Sequence, residues 1–134
     1  MTIDQFPNLF MVYGPQGPTA FCNAPTCLEL QAGWITQTIA YLREHDITKF
    51  TPTTQAALKF KKHVNDLCAL TLFPEADSWY MGANIPGKKR ESYNYFGGVV
   101  AYTQEIKQEM ERGYPGFMRE TIKQDYKSIS RARL

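Results

Sequence analysis

Cysteine is scarce in this sequence, and no two cysteines stand in a C-x-x-C pair. Cys22, Cys27 and Cys68 form neither an even disulfide set nor a common zinc-ligand spacing. We therefore expect three packed free thiols in a reducing compartment, and no metal site. No apolar run approaches the roughly 20 residues that a transmembrane helix needs, and residues 1–7 lack the basic group of a signal peptide. These absences predict a cytoplasmic protein with no membrane partner.

A large excess of charge of one sign is also missing. Lys and Arg number 15 against 13 Asp and Glu, which gives a net charge of +2 for 134 residues. A dedicated nucleic-acid binder usually carries a larger basic surplus, so we expect no nucleic-acid partner. Apolar residues make up 43% of the chain, which excludes wholesale disorder. The length suits one domain of ordinary size.

Apolar residues recur at helical spacing in a first segment that starts near residues 25–27. Thr26 with Glu29 three residues later is typical of a capping box at a helix start. Basic and polar residues gather at residues 43–46, where we expect this helix to end.

Two further helices follow in the sequence. Thr51 with proline next to it predicts the start of the second, which should stop before Pro74. The third covers residues 99–110, and Gly113 is its expected end. Residues 118–134 are polar and basic, so we divide the chain into a segment 1–117 and a flexible tail 118–134.

One short run of bulky apolar residues, L-F-M-V-Y at 9–13, is apolar on both faces. That pattern favours a strand covered on both sides, as in a parallel sheet. A single strand has no sheet partners, and each buried unpaired backbone group costs about 1–3 kcal/mol. We therefore expect the chain to be a piece of a larger α/β fold, with Met1 an internal methionine of a longer parent.

Four motifs, in this order and spacing, resemble the C-terminal part of Baeyer–Villiger monooxygenases, the class B flavoprotein monooxygenases. They are F-P-N-L-F at 6–10 followed by G-P at 14–15, E-L-Q at 29–31 with W-I at 34–35, D-S-W-Y-M-G-A-N-I-P-G-K at 77–88, and Y-F-G-G at 95–98.

The resemblance implies an α/β fold class: an incomplete fragment of a flavoprotein with two Rossmann-like dinucleotide-binding domains, mostly helical with one or few short strands. Family members insert oxygen into ketones with FAD, NADPH and O₂. No G-x-G occurs in this chain, so neither dinucleotide fingerprint is present. We expect a contribution to an oxidoreductase whose isolated fragment is inactive, with no catalytic residue of its own. Its expected partner is the missing N-terminal portion or a longer flavoprotein chain.

The resemblance also implies contacts for both cofactors. Asn23 and Ala24 would lie near the flavin, Ala24 through its backbone amide, and a helix N-terminus just after them suits a flavin carbonyl. Trp79 matches the tryptophan that closes over NADP in the family. Asn84 and Lys88, from the same loop, would help to place NADP.

Five residues are implied to line the substrate pocket: Thr19, Ala20, Phe21, Tyr93 and Asn94. Asn94 departs from the usual apolar character of its position, so the ketone preferred by the parent does not transfer. Two other hypotheses remain open from the residues alone. One is an interaction protein that binds RNA through the basic aromatic stretch 88–96, and the other is a non-catalytic subunit that completes another chain's site.

Overall fold

The computed structural model describes residues 1–18 and 22–122. Three α-helices and a two-stranded antiparallel sheet form its framework, and this confirms the predicted class, a mostly helical α/β chain with few short strands. Single turns of 3₁₀ helix cover Phe73–Glu75 and Trp79–Met81. The regular elements are α1 (Ala24–Glu44), β1 (Ile47–Pro52), α2 (Thr54–Ala69), α3 (Gly98–Glu111) and β2 (Phe117–Thr121).

The first helix, α1, starts slightly earlier than predicted. Asn23 is its N-cap, and the Asn23 side-chain oxygen accepts a hydrogen bond from the Thr26 N–H at 3.5 Å. The predicted capping box of Thr26 and Glu29 is therefore wrong, because Thr26 already lies in the first turn. Asparagine is at least as good an N-cap as threonine. Pro25 follows in the first turn, where proline is tolerated because its missing N–H is not needed. The end of α1 falls within the predicted range.

The second helix, α2, is capped by Thr53, whose hydroxyl accepts from the Ala56 N–H at 3.1 Å. The predicted cap, Thr51, lies instead in β1 with Pro52, where proline is tolerated at the end of a strand. The third helix matches its prediction. Gly113 follows it with a φ of +71°, the left-handed conformation that suits glycine after a helix.

Neither strand of the sheet was predicted. Strand β1 pairs with β2 in antiparallel register, with Phe50 opposite Arg119 and Pro52 opposite Phe117. Both strands are short. In β1 the last three residues are all buried, so buried and exposed residues do not alternate along it. The period of two that marks a strand in a sequence is therefore weak here.

Residues 9–13 do not form a strand, so that prediction was wrong. They run through irregular backbone and a turn, and Tyr13 has a φ of +58°, which no strand contains. Their amides find single partners: the Met11 N–H donates to the Met1 carbonyl at 2.7 Å, and the Tyr13 N–H donates to Gln31 Oε1 at 2.6 Å. Leu9 remains 40% exposed. The bulky apolar run reflects packing along this segment and not pairing in a sheet.

Asn8, in the F-P-N-L-F motif, anchors this segment to β1. The Asn8 N–H donates to the Phe50 carbonyl at 2.9 Å, and the Phe50 N–H donates to Asn8 Oδ1 at 3.0 Å. The Asn8 side-chain amide also donates to the Thr48 carbonyl at 2.9 Å. The φ of Asn8 is +60°, a conformation that asparagine tolerates better than most residues.

Aromatic side chains dominate the core beside the sheet. The rings of Phe50 and Phe117 stack at 4.3 Å, and Tyr114 meets Phe50 edge-on at 5.2 Å. The buried Trp34 of α1 donates from its indole nitrogen to the Ile106 carbonyl of α3 at 2.9 Å. A second buried cluster, of Val64, Tyr95 and Tyr102, lies between α2, α3 and the loop that precedes α3.

The cysteines depart from the prediction of three free thiols. The structure brings the sulfur atoms of Cys22 and Cys27 into contact, and Cys68, which is buried, stands apart as a free thiol. The reason is that Cys22 ends the loop that leads into the first turn of α1, where Cys27 lies. Spacing along the sequence does not reveal this proximity.

Within the two described ranges, no helix has the length and apolarity needed to cross a bilayer, and no cluster of metal-ligating side chains occurs. Strand β2 continues to Thr121, past the proposed division at residues 117 and 118. The predicted flexible tail otherwise lies mostly outside the described residues, so this division stays a prediction.

We expect Asn8→Ala to lower the free energy of unfolding by about 2–3 kcal/mol. It removes two side-chain hydrogen bonds and puts alanine, which tolerates positive φ less well than asparagine, at this position. Asn8→Gly is the matched control: it loses the same hydrogen bonds but fits the backbone, so it should cost about 1 kcal/mol less. Urea unfolding of the three proteins measures both values. Equal stability of Asn8→Ala and the unmodified chain would contradict the anchoring role of Asn8.

Candidate cofactor and substrate site

The segment of residues 91–95, which we call the central segment, lies between two other loops. On one side it meets the loop that leads towards α1. The Gln16 N–H donates to the Tyr93 carbonyl at 2.7 Å, and the Tyr95 N–H donates to the Gly17 carbonyl at 2.9 Å. These bonds make a parallel bridge between Gly17 and Asn94.

On its other side the central segment meets the D-S-W-Y-M-G motif. The Tyr93 N–H donates to the Tyr80 carbonyl at 3.1 Å, and the Glu91 N–H donates to the Met81 carbonyl at 3.2 Å. Three stretches that are far apart in sequence therefore come together at the central segment, and they include the predicted site residues Trp79, Tyr93 and Asn94.

Helix α2 holds the central segment through Asn65, which sequence reasoning missed. Asn65 Oδ1 accepts from the Ser92 N–H at 3.0 Å, and the Asn65 side-chain amide donates to the Lys61 carbonyl at 2.8 Å. The Ser92 hydroxyl donates to the Asn94 carbonyl at 2.7 Å. No signal in the sequence distinguishes Asn65 from a solvated polar residue on the helix.

Helix α3 holds the end of the central segment through Glu105, which was also missed. The Tyr95 hydroxyl donates to Glu105 Oε1 at 2.6 Å, and His63 Nε2 lies 3.0 Å from the same oxygen. Glu105 follows Tyr102 by three residues on α3, so both face the same side. This spacing is the one sequence signal that could have indicated the contact.

The buried tyrosines here have raised pKa values. Burial in the core, followed by the hydrogen bond to Glu105, raises the pKa of Tyr95. Burial also raises the pKa of Tyr102 to about 12, although a hydrogen bond with Gln31 acts in the opposite direction. In both cases the apolar surroundings disfavour the phenolate.

Glu91 opens the central segment between two cations. Lys61 and Lys89 both reach its carboxylate, and the hydrogen bond from Lys61 is the largest cause of the lowered pKa of Glu91. The next residue, Arg90, donates to Asp77 Oδ1 at 2.9 Å and to the carbonyl oxygen of Pro74 at 3.2 Å. Both Lys89 and Arg90 are thus engaged within the chain.

The predicted NADP residues lie on one loop. Trp79 is 61% exposed, and its ring lies 4.0 Å from that of Tyr80. Lys88 Nζ lies 4.9 Å from the centre of the Tyr93 ring, a cation–π contact. Asn84, between them in sequence, is exposed. The structure therefore brings Lys88 to the predicted substrate residue Tyr93, and it leaves the Trp79 ring open to a ligand.

Gly82 allows this loop to turn beside Tyr93. Its φ is +70°, and a Cβ at this position would lie 3.0 Å from the Tyr93 hydroxyl. That hydroxyl is buried and has no hydrogen-bond partner among the described residues. A buried polar atom without a partner is costly, and a ligand that supplies one relieves the cost.

The predicted flavin residues, Asn23 and Ala24, lie where α1 begins. In the first turn, Pro25 has no amide hydrogen, Thr26 donates to the Asn23 side chain, and the Cys27 N–H donates to the Asn23 carbonyl at 3.1 Å. The Ala24 N–H is therefore the one amide of this turn without a partner among the described residues. Its role as a donor to a flavin carbonyl stays a prediction.

Of the predicted substrate residues, Asn94 is 3% exposed and sits at the bridge to Gly17. Tyr93 is half-buried. Thr19, Ala20 and Phe21 lie outside the described residues, and the described Pro18 directly precedes them. The roles predicted for these five residues stay predictions.

Comparisons with known proteins identify relatives of this chain. No protein-family model matches the chain. Cyclopentanone 1,2-monooxygenase from Comamonas sp. (strain NCIMB 9872) is 42% identical over 112 residues, which is 84% of this chain and 20% of that protein. The crystal structure of cyclohexanone monooxygenase from Rhodococcus sp. Phi1 bound to NADP⁺ superposes with a TM-score of 0.82 at 37% identity, covering 90% of this chain and 22% of that one. The crystal structure of OTEMO in complex with FAD and NADP gives a TM-score of 0.79 at 28% identity, over 89% and 21% of the two chains.

These matches confirm the resemblance found in the motifs. The chain is homologous to Baeyer–Villiger monooxygenases, which are flavin-dependent oxidoreductases, and it spans about a fifth of the length of the relatives that it matches. The resemblance to the C-terminal part of this family is confirmed, although the strand expected at residues 9–13 is not found.

We expect Gly97→Ala to lower the free energy of unfolding by about 1–3 kcal/mol, because its Cβ would come 2.6 Å from the Tyr95 ring and displace a core side chain. Gly33→Ala is the matched control. Its Cβ meets nothing within 4 Å in the middle of α1, so it should stabilise the chain by up to about 1 kcal/mol. Urea unfolding separates the two, and similar values for both variants would contradict the tight packing of the Y-F-G-G motif.

The raised pKa of Tyr102 predicts a loss of stability at high pH. Its folded-state pKa of about 12 exceeds the ordinary value of 10.0, so its contribution is fully present below pH 10 and is lost as pH rises towards 12. Between pH 8 and pH 11 this loss should be about 1 kcal/mol, and Tyr102→Phe should remove it. The measurement is urea unfolding at both pH values. An unchanged pH dependence in the variant would contradict the assignment.

Proposed function

We propose that this chain is the C-terminal segment of a Baeyer–Villiger-type flavin monooxygenase. Within its parent it supplies a flavin-edge loop, one wall of the substrate pocket and a lid on NADP. The observation that carries the proposal is that the D-S-W-Y-M-G motif and the loop just after G-P at 14–15 both bond to the central segment, where the Y-F-G-G motif begins. These stretches are far apart in the sequence, so the tertiary fold and not local composition brings them together.

The flavin contact belongs to the first turn of α1. The Ala24 N–H has no partner among residues 1–18 and 22–122, and Asn23 is exposed beside it. The partial positive charge of a helix N-terminus favours an electron-rich ring carbonyl at this point. When bound, reduced flavin together with O₂ supplies the oxygen atom that is inserted next to a ketone carbonyl. The role of the chain is to orient the ring edge and to keep water away from it.

The NADP contact belongs to the loop from Trp79 to Lys88. The exposed indole of Trp79 offers a flat apolar face and one N–H donor. Lys88, held over the Tyr93 ring, provides a positive charge at the edge of the same loop. Asn84 adds an amide that can donate or accept. These groups suit a nucleotide that stacks on the indole and carries anionic phosphates.

The substrate contact joins Tyr93 and Asn94 to residues 19–21. The Tyr93 hydroxyl lacks a partner within the described residues, so it can bind a ligand oxygen. A small ketone is the substrate class, in keeping with the names of the related enzymes. Asn94 makes this part of the wall more polar than the family pattern.

The other parts of the parent are the expected partner, since no dinucleotide fingerprint occurs in this sequence. We expect the isolated chain to be inactive and to bind FAD weakly or not at all, and we place the protein in the cytoplasm. The alternative of an RNA-binding protein has no support from the comparisons. In addition, Lys89 and Arg90, two cations of its basic stretch, are paired within the chain.

A chimera tests the proposal. The matching fifth of the Comamonas cyclopentanone monooxygenase is replaced by this chain, and cyclopentanone-dependent NADPH oxidation is measured. We expect the chimera to bind FAD and oxidise the ketone, whereas the same enzyme with that fifth deleted should be inactive. A folded, FAD-bound chimera without ketone oxidation would contradict the proposed role, as would tight stoichiometric FAD binding by the isolated chain.

In this chimera, Trp79→Ala should raise the KM for NADPH by about tenfold, because it removes both the stacking face and the donor. Trp79→Phe keeps an aromatic face without the N–H and should give an intermediate value. An NADPH KM that is unchanged in both variants would refute the lid role of Trp79 while leaving the other contacts standing.

A further inference from the structure

Gln31 is a fully buried polar residue of α1, and the proposed cofactor and substrate contacts do not include it. It belongs to the E-L-Q motif and is 0% exposed. The buried residues of α1 form one helical stripe, which consists of Cys27, Gln31, Trp34, Thr38 and Leu42. Such a stripe is usually apolar, and a polar residue that breaks the pattern is expected at functional or strained sites.

Gln31 binds the backbone of Tyr13, which lies 18 residues earlier in the chain. The Tyr13 N–H donates to Gln31 Oε1 at 2.6 Å. Because the donor is an N–H, the oxygen of the side-chain amide and not its nitrogen must face Tyr13. The nitrogen has no close partner in the described part of the chain and engages the Tyr102 hydroxyl only weakly. The fold therefore uses Gln31 as an acceptor.

The backbone conformation of Tyr13 makes this acceptor important. Its φ is +58°, which is uncommon for a bulky residue. A conformation of this kind persists only where the surrounding structure holds it. The next residues, Gly14 and Pro15, begin a turn in which the Gly17 N–H donates to the Gly14 carbonyl at 3.3 Å. The contact with Gln31 therefore fixes the direction in which the chain enters this turn.

The turn opens the loop of residues 14–23, which we call the flavin-edge loop and of which the structure describes residues 14–18 and 22–23. Its last residue, Asn23, is the N-cap of α1, and the Asn23 carbonyl accepts from the Cys27 N–H at 3.1 Å. Gln31 lies about 12 Å further along the same helix, at a rise of about 1.5 Å per residue. One helix therefore holds the loop at both ends.

We propose that Gln31 is a positioning residue for the flavin-edge loop, which it holds at its first turn while Asn23 holds it at its last residue. The loop contains the proposed substrate residues 19–21 and leads into the proposed flavin contact Ala24, so both attachments set where these groups lie. The link to flavin and ketone rests on the proposed function. The attachment of the loop to Gln31 does not.

Gln16 reports the position of this loop independently of the Gln31 hydrogen bond. The Gln16 N–H donates to the Tyr93 carbonyl of the central segment at 2.7 Å. If Gln31 closes only one local hydrogen bond, its loss should affect the Tyr13 amide alone. If Gln31 positions the loop, the Gln16 amide should also exchange faster, because the first turn then leaves the central segment more often.

Two substitutions separate the order of the loop from the stability of the chain. Gln31→Met has nearly the same size, and it removes the acceptor oxygen together with a nitrogen that lacks a close partner, so the chain should stay folded. Gln31→Glu keeps an oxygen that can accept from Tyr13, but it buries a charge and should lower stability. A purely structural role would make loop order follow stability, whereas the positioning role predicts that the more stable variant has the looser loop.

Thr38→Val is the matched control. Thr38 is 0% exposed on the same stripe of α1, and its hydroxyl bonds to the Trp34 carbonyl at 2.8 Å and to the Tyr114 hydroxyl at 2.8 Å. The substitution therefore removes buried hydrogen bonds from the same helix without changing the attachment of the flavin-edge loop.

Hydrogen exchange of the full 134-residue chain, followed by NMR, tests the proposal without flavin. The Tyr13 and Gln16 amides should exchange about tenfold faster in Gln31→Met than in the unmodified chain, and near the unmodified rate in Gln31→Glu and Thr38→Val. Circular dichroism and urea unfolding report the fold and stability of each variant. Unchanged exchange of Gln16 in Gln31→Met would overturn the proposal, as would equally fast exchange in Gln31→Glu. If Gln31→Glu does not fold, Gln31→Met against Thr38→Val decides the question.

The chimera with the Comamonas enzyme measures the consequence for the reaction. Gln31→Met should lower kcat for cyclopentanone about tenfold and leave the KM for NADPH unchanged, because the loop from Trp79 to Lys88 is held by the central segment and not by Gln31. Gln31→Glu should keep most of the kcat. An active chimera whose kcat is unchanged by Gln31→Met would overturn the positioning role. An inactive unmodified chimera would instead count against the proposed function, and the exchange experiment would still decide the role of Gln31.

Discussion

The central segment, residues 91–95, takes most of its backbone hydrogen bonds from outside itself, and the rest of the site depends on this constraint. It belongs to neither strand of the sheet, so its buried amides and carbonyls need partners from elsewhere. The loop before α1 provides some, and the D-S-W-Y-M-G loop provides others. Because each unmade bond of this kind is costly, the three loops are held together by the same requirement.

Side chains of helices α2 and α3 hold the central segment in place. Asn65 accepts from the backbone of the central segment, and Glu105 accepts from the Tyr95 hydroxyl beneath it. Neither residue is among the proposed ligand contacts. Their contribution is to fix where Tyr93 and Asn94 stand relative to the exposed Trp79, and a site shared between cofactor and substrate requires such fixed spacing.

Much of this chain was predictable from its sequence. The similarity to part of a larger flavoprotein was inferred in two ways, from the motifs and from an expected strand, and only the motifs were a sound basis. The motifs indicated the family, and the comparisons bear that out. The strand expected at residues 9–13 pointed to the same fragment interpretation and was wrong. The segment is apolar as the sequence shows, but it is not paired as a strand. Asn8, which has a positive φ and accepts from the Phe50 N–H, turns the backbone beside β1 instead. A short apolar run is expected both in a buried irregular segment and in a strand paired within a sheet. Hydrophobicity alone therefore cannot distinguish these two structures.

The sequence by itself determined the three helices, the end at Gly113 and the motifs that carry the homology, because these depend on residue type and local spacing. Tertiary structure decided the sheet, the choice of Asn23 and Thr53 as caps, and the meeting of Cys22 with Cys27. It also decided that Asn65 and Glu105 hold the site. The physical reason is that these features are contacts between separate segments, whose partners are fixed only when the whole chain packs and each buried polar group finds its hydrogen bond.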